Sequence, residues 1–251
     1  ATADTVNVGN LPTRTFLPGI FIQDQITFNA QNKILLGMRY DYNSIHGNIY
    51  TPRINYKWNS ENKKNILRLS AGTGYRVANV FTEDHAALTG SREVVLLSDL
   101  SPETSYNGNI NYVKKIFTKK DLILGIDASA FYTYFNNKIF PDYESDPSLI
   151  IYDNLTGYAV SKGVTVNFDV SCRDLTLNAG VTMMDVYSVQ DGIRGRQVLT
   201  EQFTGTWSIG YNFDKIKMSI NYTGNVYSPM DLPTQTTDVF TDPRPAESPW
   251  F

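Results

Sequence analysis

Long stretches of two-residue alternation constrain this chain more than any other feature. In 216–227 one set of positions reads Ile216, Met218, Ile220, Tyr222, Gly224, Val226, and the set between reads Lys217, Ser219, Asn221, Thr223, Asn225, Tyr227. Successive side chains of a strand point to opposite faces, so such a segment has one apolar and one polar face. Segments 203–213, 175–187 and 158–172 repeat the pattern, as does 121–135, where Ile123, Phe131 and Phe135 dilute the polar face. Further strands fit 16–29, 33–42, 50–58, 65–75 and 103–116, which makes ten. Most exceed the roughly five to six residues of an ordinary globular strand, and no helix of three turns fits the pattern. Tyr 16, Phe 13 and Trp 3, with abundant Thr and Asn, agree with strands and turns. The chain is read as all-β, an antiparallel up-and-down meander of about ten long strands.

The connections sort by length. Short polar turns are expected at 30–32, 59–64, 117–120, 173–174 and 214–215, and longer links at 43–49, 76–102, 136–157, 188–202 and 228–251. Short turns on one rim and long loops on the other are the plan of a transmembrane β-barrel, whose strands alternate an outward apolar set with an inward polar one. Aromatics gather near strand ends, Tyr56, Trp58, Tyr211 and Phe213 by short turns and Tyr40 and Tyr42 by a long link, as interfacial rings do. A soluble sheet capped by aromatics is the plainer alternative, but it gives no reason for strands this long or loops so sorted.

Other classes are excluded quickly. Lys+Arg 22 against Asp+Glu 25 gives a net charge of -3, with none of the basic excess of a nucleic-acid binder. The single cysteine, Cys172, leaves no disulfide framework. No apolar run approaches the roughly 18 residues of a membrane-spanning helix. The two histidines, His46 and His85, lack nearby catalytic or metal-binding partners, no Gly-x-Ser-x-Gly elbow occurs, and no cofactor or enzymatic activity is expected. Asp142, Glu144 and Asp146 alternate like calcium ligands but lack the EF-hand glycine and terminal glutamate, so a solvated acidic loop is the simpler reading.

Several local patterns, in order, resemble the C-terminal barrel of the TonB-dependent outer-membrane receptors. Phe21-Ile22-Gln23-Asp24-Gln25 is followed by Leu36-Gly37-Met38-Arg39-Tyr40-Asp41, then Pro52-Arg53. Leu67 to Arg76 ends in Gly74-Tyr75-Arg76, with Phe81-Thr82-Glu83 beyond, and Leu100-Ser101-Pro102-Glu103-Thr104-Ser105 opens the next strand. Beyond residue 120 the resemblance rests on the barrel pattern alone. The family's barrel has about 22 strands around an N-terminal plug, preceded by an energy-coupling box. The resemblance therefore implies that 1–251 is a partial barrel domain without plug or coupling box, incomplete at both ends, and Ser248-Pro249-Trp250-Phe251 reads as the start of a further strand.

What the resemblance implies is a fragment of an outer-membrane active transporter in a Gram-negative bacterium. It would import a scarce nutrient complex, of the ferric siderophore, cobalamin, haem or glycan class, with TonB-transmitted energy. Expected partners are outer-membrane lipid, the plug and remaining strands of the parent receptor, TonB through the missing N-terminal region, and a small-molecule or metal-chelate ligand. A complete small pore or adhesin barrel and a soluble carbohydrate-binding β-protein are the alternatives. Expected ligand contacts in the outer loops are His85, Arg92, Phe140, Tyr143 and Tyr152. Arg194 and Arg196 suit an anionic ligand or a lipopolysaccharide, since guanidinium groups bind carboxylate and phosphate bidentately. Arg39, Arg53 and Arg68 fall on the Asn/Thr side of their strands and are expected to face the lumen and plug, with Asp24 and Asp41 as counter-charges. Lys162 falls in the lipid-facing register and is expected near the rim, where a charge costs little. Cut from its neighbours, the fragment is expected to need detergent, to associate through its edges, or to be ordered only beside the rest of its receptor.

Overall fold

Ten long strands form one antiparallel meander, each paired with the next in space. The computed structural model describes residues 16–76, 93–96, 100–118, 122–142, 146, 148–154, 156–232 and 246–251. The strands are β1 (Gly19–Thr27), β2 (Asn32–Asn43), β3 (Gly47–Asn59), β4 (Asn65–Arg76), β5 (Glu93–Leu96), β6 (Glu103–Phe117), β7 (Leu122–Asn136), β8 (Ile139–Asp142), β9 (Leu149–Asn154), β10 (Gly157–Cys172), β11 (Leu175–Gln190), β12 (Ile193–Arg196), β13 (Phe203–Phe213) and β14 (Met218–Tyr227). The wall runs β1-β2-β3-β4-β6-β7-β10-β11-β13-β14, and β12 adds to β11 above β13. A separate three-stranded sheet, β5-β9-β8, is built from two of the long links, with β5 and β9 parallel. The wall is open: among the described residues β1 pairs only with β2, and β14 pairs with no wall strand except β13. No helix among them is long and apolar enough to cross a membrane, which says nothing of strands.

The register carries one apolar face across the whole wall. From β14 it runs through the opposed pairs Ile220–Tyr211, Ile209–Leu177, Val181–Val166, Val166–Ala128, Ala130–Ile110, Ile110–Leu69, Leu69–Tyr56, Tyr56–Ile34 and Ile34–Ile26. A one-residue slip in any pair would move a strand's whole apolar set to the polar side, so the pattern fixes the register. Met218 is 45% exposed, Ile220 52% and Tyr222 61%. Among the described residues no second sheet covers them, as a sandwich would require. Rings line the two ends of this face: Tyr56, Trp58, Tyr112, Tyr211 and Phe213 toward the short turns, and Tyr40, Tyr50, Tyr106, Tyr134, Tyr158 and Tyr187 toward the other rim. Tyr40 and Tyr50 sit 5.2 Å apart, and Tyr134 and Tyr158 stack at 5.2 Å.

Three expectations need correction. The link at 43–49 is a tight hairpin, because the buried Asn43 side chain accepts the Ile45 and His46 N–H groups at 2.8 and 3.1 Å and Gly47 takes φ 76. The links 76–102, 136–157 and 188–202 are not structureless: they carry β5, β8 with β9, and β12. Asp24 faces the apolar side, not the polar one, since it opposes Leu36 and shares parity with Ile20, Ile22 and Ile26.

Candidate functional site

Two neighbourhoods hold most of the polar chemistry: the polar face of the wall, and the rim bearing the longer links. On the polar face Arg39 makes a bidentate pair with Asp41, at 2.7 and 2.8 Å. Arg53 Nη2 donates to Gln23 Oε1 at 2.8 Å, and its side chain crosses Gly37, where a Cβ would lie 2.8 Å from Nε. Arg68 Nη1 donates to Asn111 Oδ1 at 2.8 Å, and Asn111 Nδ2 donates to Asp127 Oδ1 at 2.5 Å, so one chain of hydrogen bonds spans β4, β6 and β7. Asn107 to Thr133 and Thr165 with Thr182 add further cross-strand pairs. All three arginines lie on the face opposite the apolar set.

At the rim, Glu103 opens β6 on this same polar face and is 5% exposed. Its carboxylate accepts Arg76 Nε at 2.5 Å and the Ile139 N–H at 2.9 Å, which ties the start of β8 to the wall. Asn154, ending β9, accepts the Ser101 N–H and donates to the Ser101 and Asn137 carbonyls. The small sheet is held over its own core of Ile139, Ile150 and Tyr152, with Leu100 packed against it. Tyr152 is thus buried, and in this conformation it supports the loop from within. Phe140 lies on β8. His85, Arg92 and Tyr143 lie outside the described residues. Asp146 is held below the usual carboxylate value by hydrogen bonds from the Ser148 hydroxyl and N–H, an ordinary turn. Among the described residues no group of His, Cys, Asp or Glu could hold a metal ion.

Lys138 sits half-buried beside this anchor and donates to Gln197 Oε1 at 3.0 Å, linking the β7–β8 connection to the segment after β12. Burial pushes its ammonium below the usual lysine value of 10.5, opposed by the Glu103 carboxylate and aided by Arg76. Between the depressed value and 10.5 the unfolded chain binds more protons, so stability rises with pH across that window and is lost as pH falls through the lower value. Lys138→Met is therefore expected to raise hydrogen-exchange protection of 139–154 severalfold at neutral pH and to flatten its alkaline rise. An unchanged pH profile would show that Lys138 carries no such cost.

Arg194 and Arg196 lie elsewhere. Their strand, β12, opposes Tyr187 and Val189, which puts both on the apolar side of the wall. Lys162 shares that side, opposite Asp185.

An open antiparallel wall with one continuous apolar face and its long links at one rim is a segment of a transmembrane-type β-barrel. The sequence matches the family described as TonB dependent receptor-like, beta-barrel, over residues 2–245, and the chain belongs to that family. No curated protein matches it. Among solved structures it is similar to the siderophore receptor PirA from Acinetobacter baumannii (14% identity, TM-score 0.65, 86% of this chain and 34% of that one). It is also similar to the FrpB iron transporter from Neisseria meningitidis (16% identity, TM-score 0.67, 94% and 37%). A mutant ferric enterobactin receptor, PfeA, from Pseudomonas aeruginosa, in complex with enterobactin, matches at 17% identity and TM-score 0.66, over 94% and 36%. These likenesses concern the fold, and the chain spans about a third of the length of each of these structures.

Proposed function

We propose that this chain is part of the wall of an outer-membrane active transporter, in a Gram-negative bacterium, that captures a ferric siderophore and imports it with TonB-transmitted energy. The observation that carries the reading is the two-faced wall: an apolar face suited to lipid and a polar face of cross-strand Arg, Asn, Asp and Thr contacts suited to an enclosed plug. Siderophore and iron uptake among the similar structures favours an iron chelate over cobalamin, haem or a glycan. Among the described residues β1 and β14 do not pair with each other, which weighs against a closed ten-strand pore.

In this reading Arg39, Arg53 and Arg68 line the lumen and hold the plug. Phe140, Tyr143, His85 and Arg92 contact the ligand, and Tyr152 acts through the loop it supports. The test is growth of a deletion strain under iron limitation, supplied in turn with hydroxamate and catecholate ferric chelates, haem, cobalamin and glycans. Loss of growth on one ferric chelate, with binding of that chelate by the purified full-length receptor, is expected. A strain that uses every ferric chelate normally, with no chelate bound by the receptor, would overturn the reading.

A further inference from the structure

On the apolar side of β7, β10 and β11, charge begins abruptly at one height. From the short-turn end, Cys172, Val170, Phe168, Val166 and Val164 of β10, Leu122 to Ala130 of β7 and Leu175 to Met183 of β11 place no charged side chain on this face. Counting back from Cys172, Val164 is the ninth residue and Lys162 the eleventh. About 9–11 residues of a tilted strand cross the hydrocarbon of a bilayer. Lys162 and its surroundings therefore stand where the hydrocarbon gives way to headgroups.

Two cations lie over one ring there, and a third is its ladder neighbour. The Arg194 guanidinium lies 3.9 Å from the Tyr187 ring centroid, Lys162 Nζ lies 5.7 Å from the same centroid, and Arg196 is the residue opposite Tyr187 in the β11–β12 ladder. Two carboxylates accompany them. Asp185 takes Arg194 Nη2 at 2.9 and 2.7 Å and Lys162 Nζ at 3.4 Å, and Asp231 takes Arg196 Nη1 at 3.4 Å. Asp191 sits at the hairpin tip, beyond them and further from the hydrocarbon. The cluster at the boundary is thus one positive charge in excess. Arg194, Lys162 and Arg196 remain 53%, 45% and 41% exposed at their side chains. Arg194 spends only Nη2 on Asp185, which leaves the Nε and Nη1 N–H groups as separate donors for phosphate oxygens.

We propose that Lys162, Arg194 and Arg196, backed by Tyr187, form a seat for the phosphate group of an outer-leaflet glycolipid. The occupant follows from position and charge. The donors face outward, at headgroup height, with excess positive charge, and a phosphate in the membrane surface is the anion that meets them there. The seat rests on the membrane-barrel reading above, but its test uses a different ligand.

The full-length receptor in detergent is titrated with bis-phosphorylated lipid A and with the same lipid stripped of phosphate, and bound lipid is counted by native mass spectrometry. At least tenfold preference for the phosphorylated lipid is expected, and the combined substitution Lys162→Gln, Arg194→Gln, Arg196→Gln is expected to abolish it. Asp185→Asn removes the competing carboxylate and is expected to tighten binding severalfold. If the cations serve only Asp185, that variant leaves lipid binding unchanged. Heat-modifiable gel mobility confirms that each variant is folded, and Asp185→Asn stands as the test where the triple variant is not. Equal retention of both lipids, or displacement by equimolar inorganic phosphate, would overturn the seat. Failure of the transporter reading shows instead as a wild-type receptor that binds no ferric chelate.

Discussion

Glu103→Ala in the full-length receptor is expected to release the small sheet β5-β9-β8 from the wall while leaving β6 and β7 paired. Glu103 accepts both the Arg76 guanidinium and the Ile139 N–H, and it faces the Lys138 ammonium. Hydrogen bonds to a charged group contribute about 1.5–3 kcal/mol each, and removing the shared acceptor takes a counter-charge away from Arg76 and Lys138 and the acceptor away from the Ile139 N–H. The Arg76 side chain is 51% exposed, so water recovers part of the loss. A cost of ~2 kcal/mol remains, or about thirtyfold in the local opening equilibrium. Hydrogen exchange at 139–142 and 149–154 should accelerate by that factor, with 104–117 and 122–136 unchanged. Glu103→Gln keeps an acceptor for Ile139 and should fall between. Unchanged exchange in β8 and β9, or equal loss in the wall, would show that Glu103 is not the anchor.

The contrast between wall and rim explains what could be read from the sequence. The ten wall strands were legible because alternation is local: each strand states its own two faces, and burying or wetting a face fixes the register. All ten lie within a few residues of their expected bounds. The rim obeys other rules. Asp191-Gly192, with φ 52 and 78, is a type I′ hairpin signal that marks β12 inside the 188–202 link. Asn43 followed by Gly47 signals the tight turn in the same way. The parallel pairing of Glu93–Leu96 with Leu149–Tyr152 was not legible, since two short apolar runs more than fifty residues apart do not name each other. Glu103 is similar: its partners Arg76 and Ile139 lie 27 and 36 residues away. At Asp24 chemistry and parity disagree: a carboxylate beside two glutamines suits the polar face, while its even number binds it to Ile22 and Ile26.

Val166→Arg is expected to destabilise the receptor in lipid by about 2–4 kcal/mol, the cost of a guanidinium on the lipid face near the bilayer midplane. Val166 is the seventh residue from Cys172, it opposes Ala128 and Val181, and no charged residue shares its face among those neighbours. Lys162 differs on both counts: it stands four residues nearer the rim and faces Asp185. An arginine at 166 would have to snorkel past Val164 to reach that height, at the expense of its packing. The matched control is Ser129→Arg. Ser129 opposes Asn111 and Thr165 on the polar face, where Asp127 and water are at hand, so the same charge should cost under about 1 kcal/mol. Denaturant unfolding of the full-length receptor in lipid vesicles, followed by tryptophan fluorescence, separates the two. Transferring both variants to a detergent micelle, which deforms around a charge more readily than a bilayer, should shrink the Val166→Arg penalty and leave Ser129→Arg unchanged. Equal penalties in lipid would mean that the two faces see the same solvent. The apolar face would then be no lipid face, and the membrane assignment of this wall would fail with it.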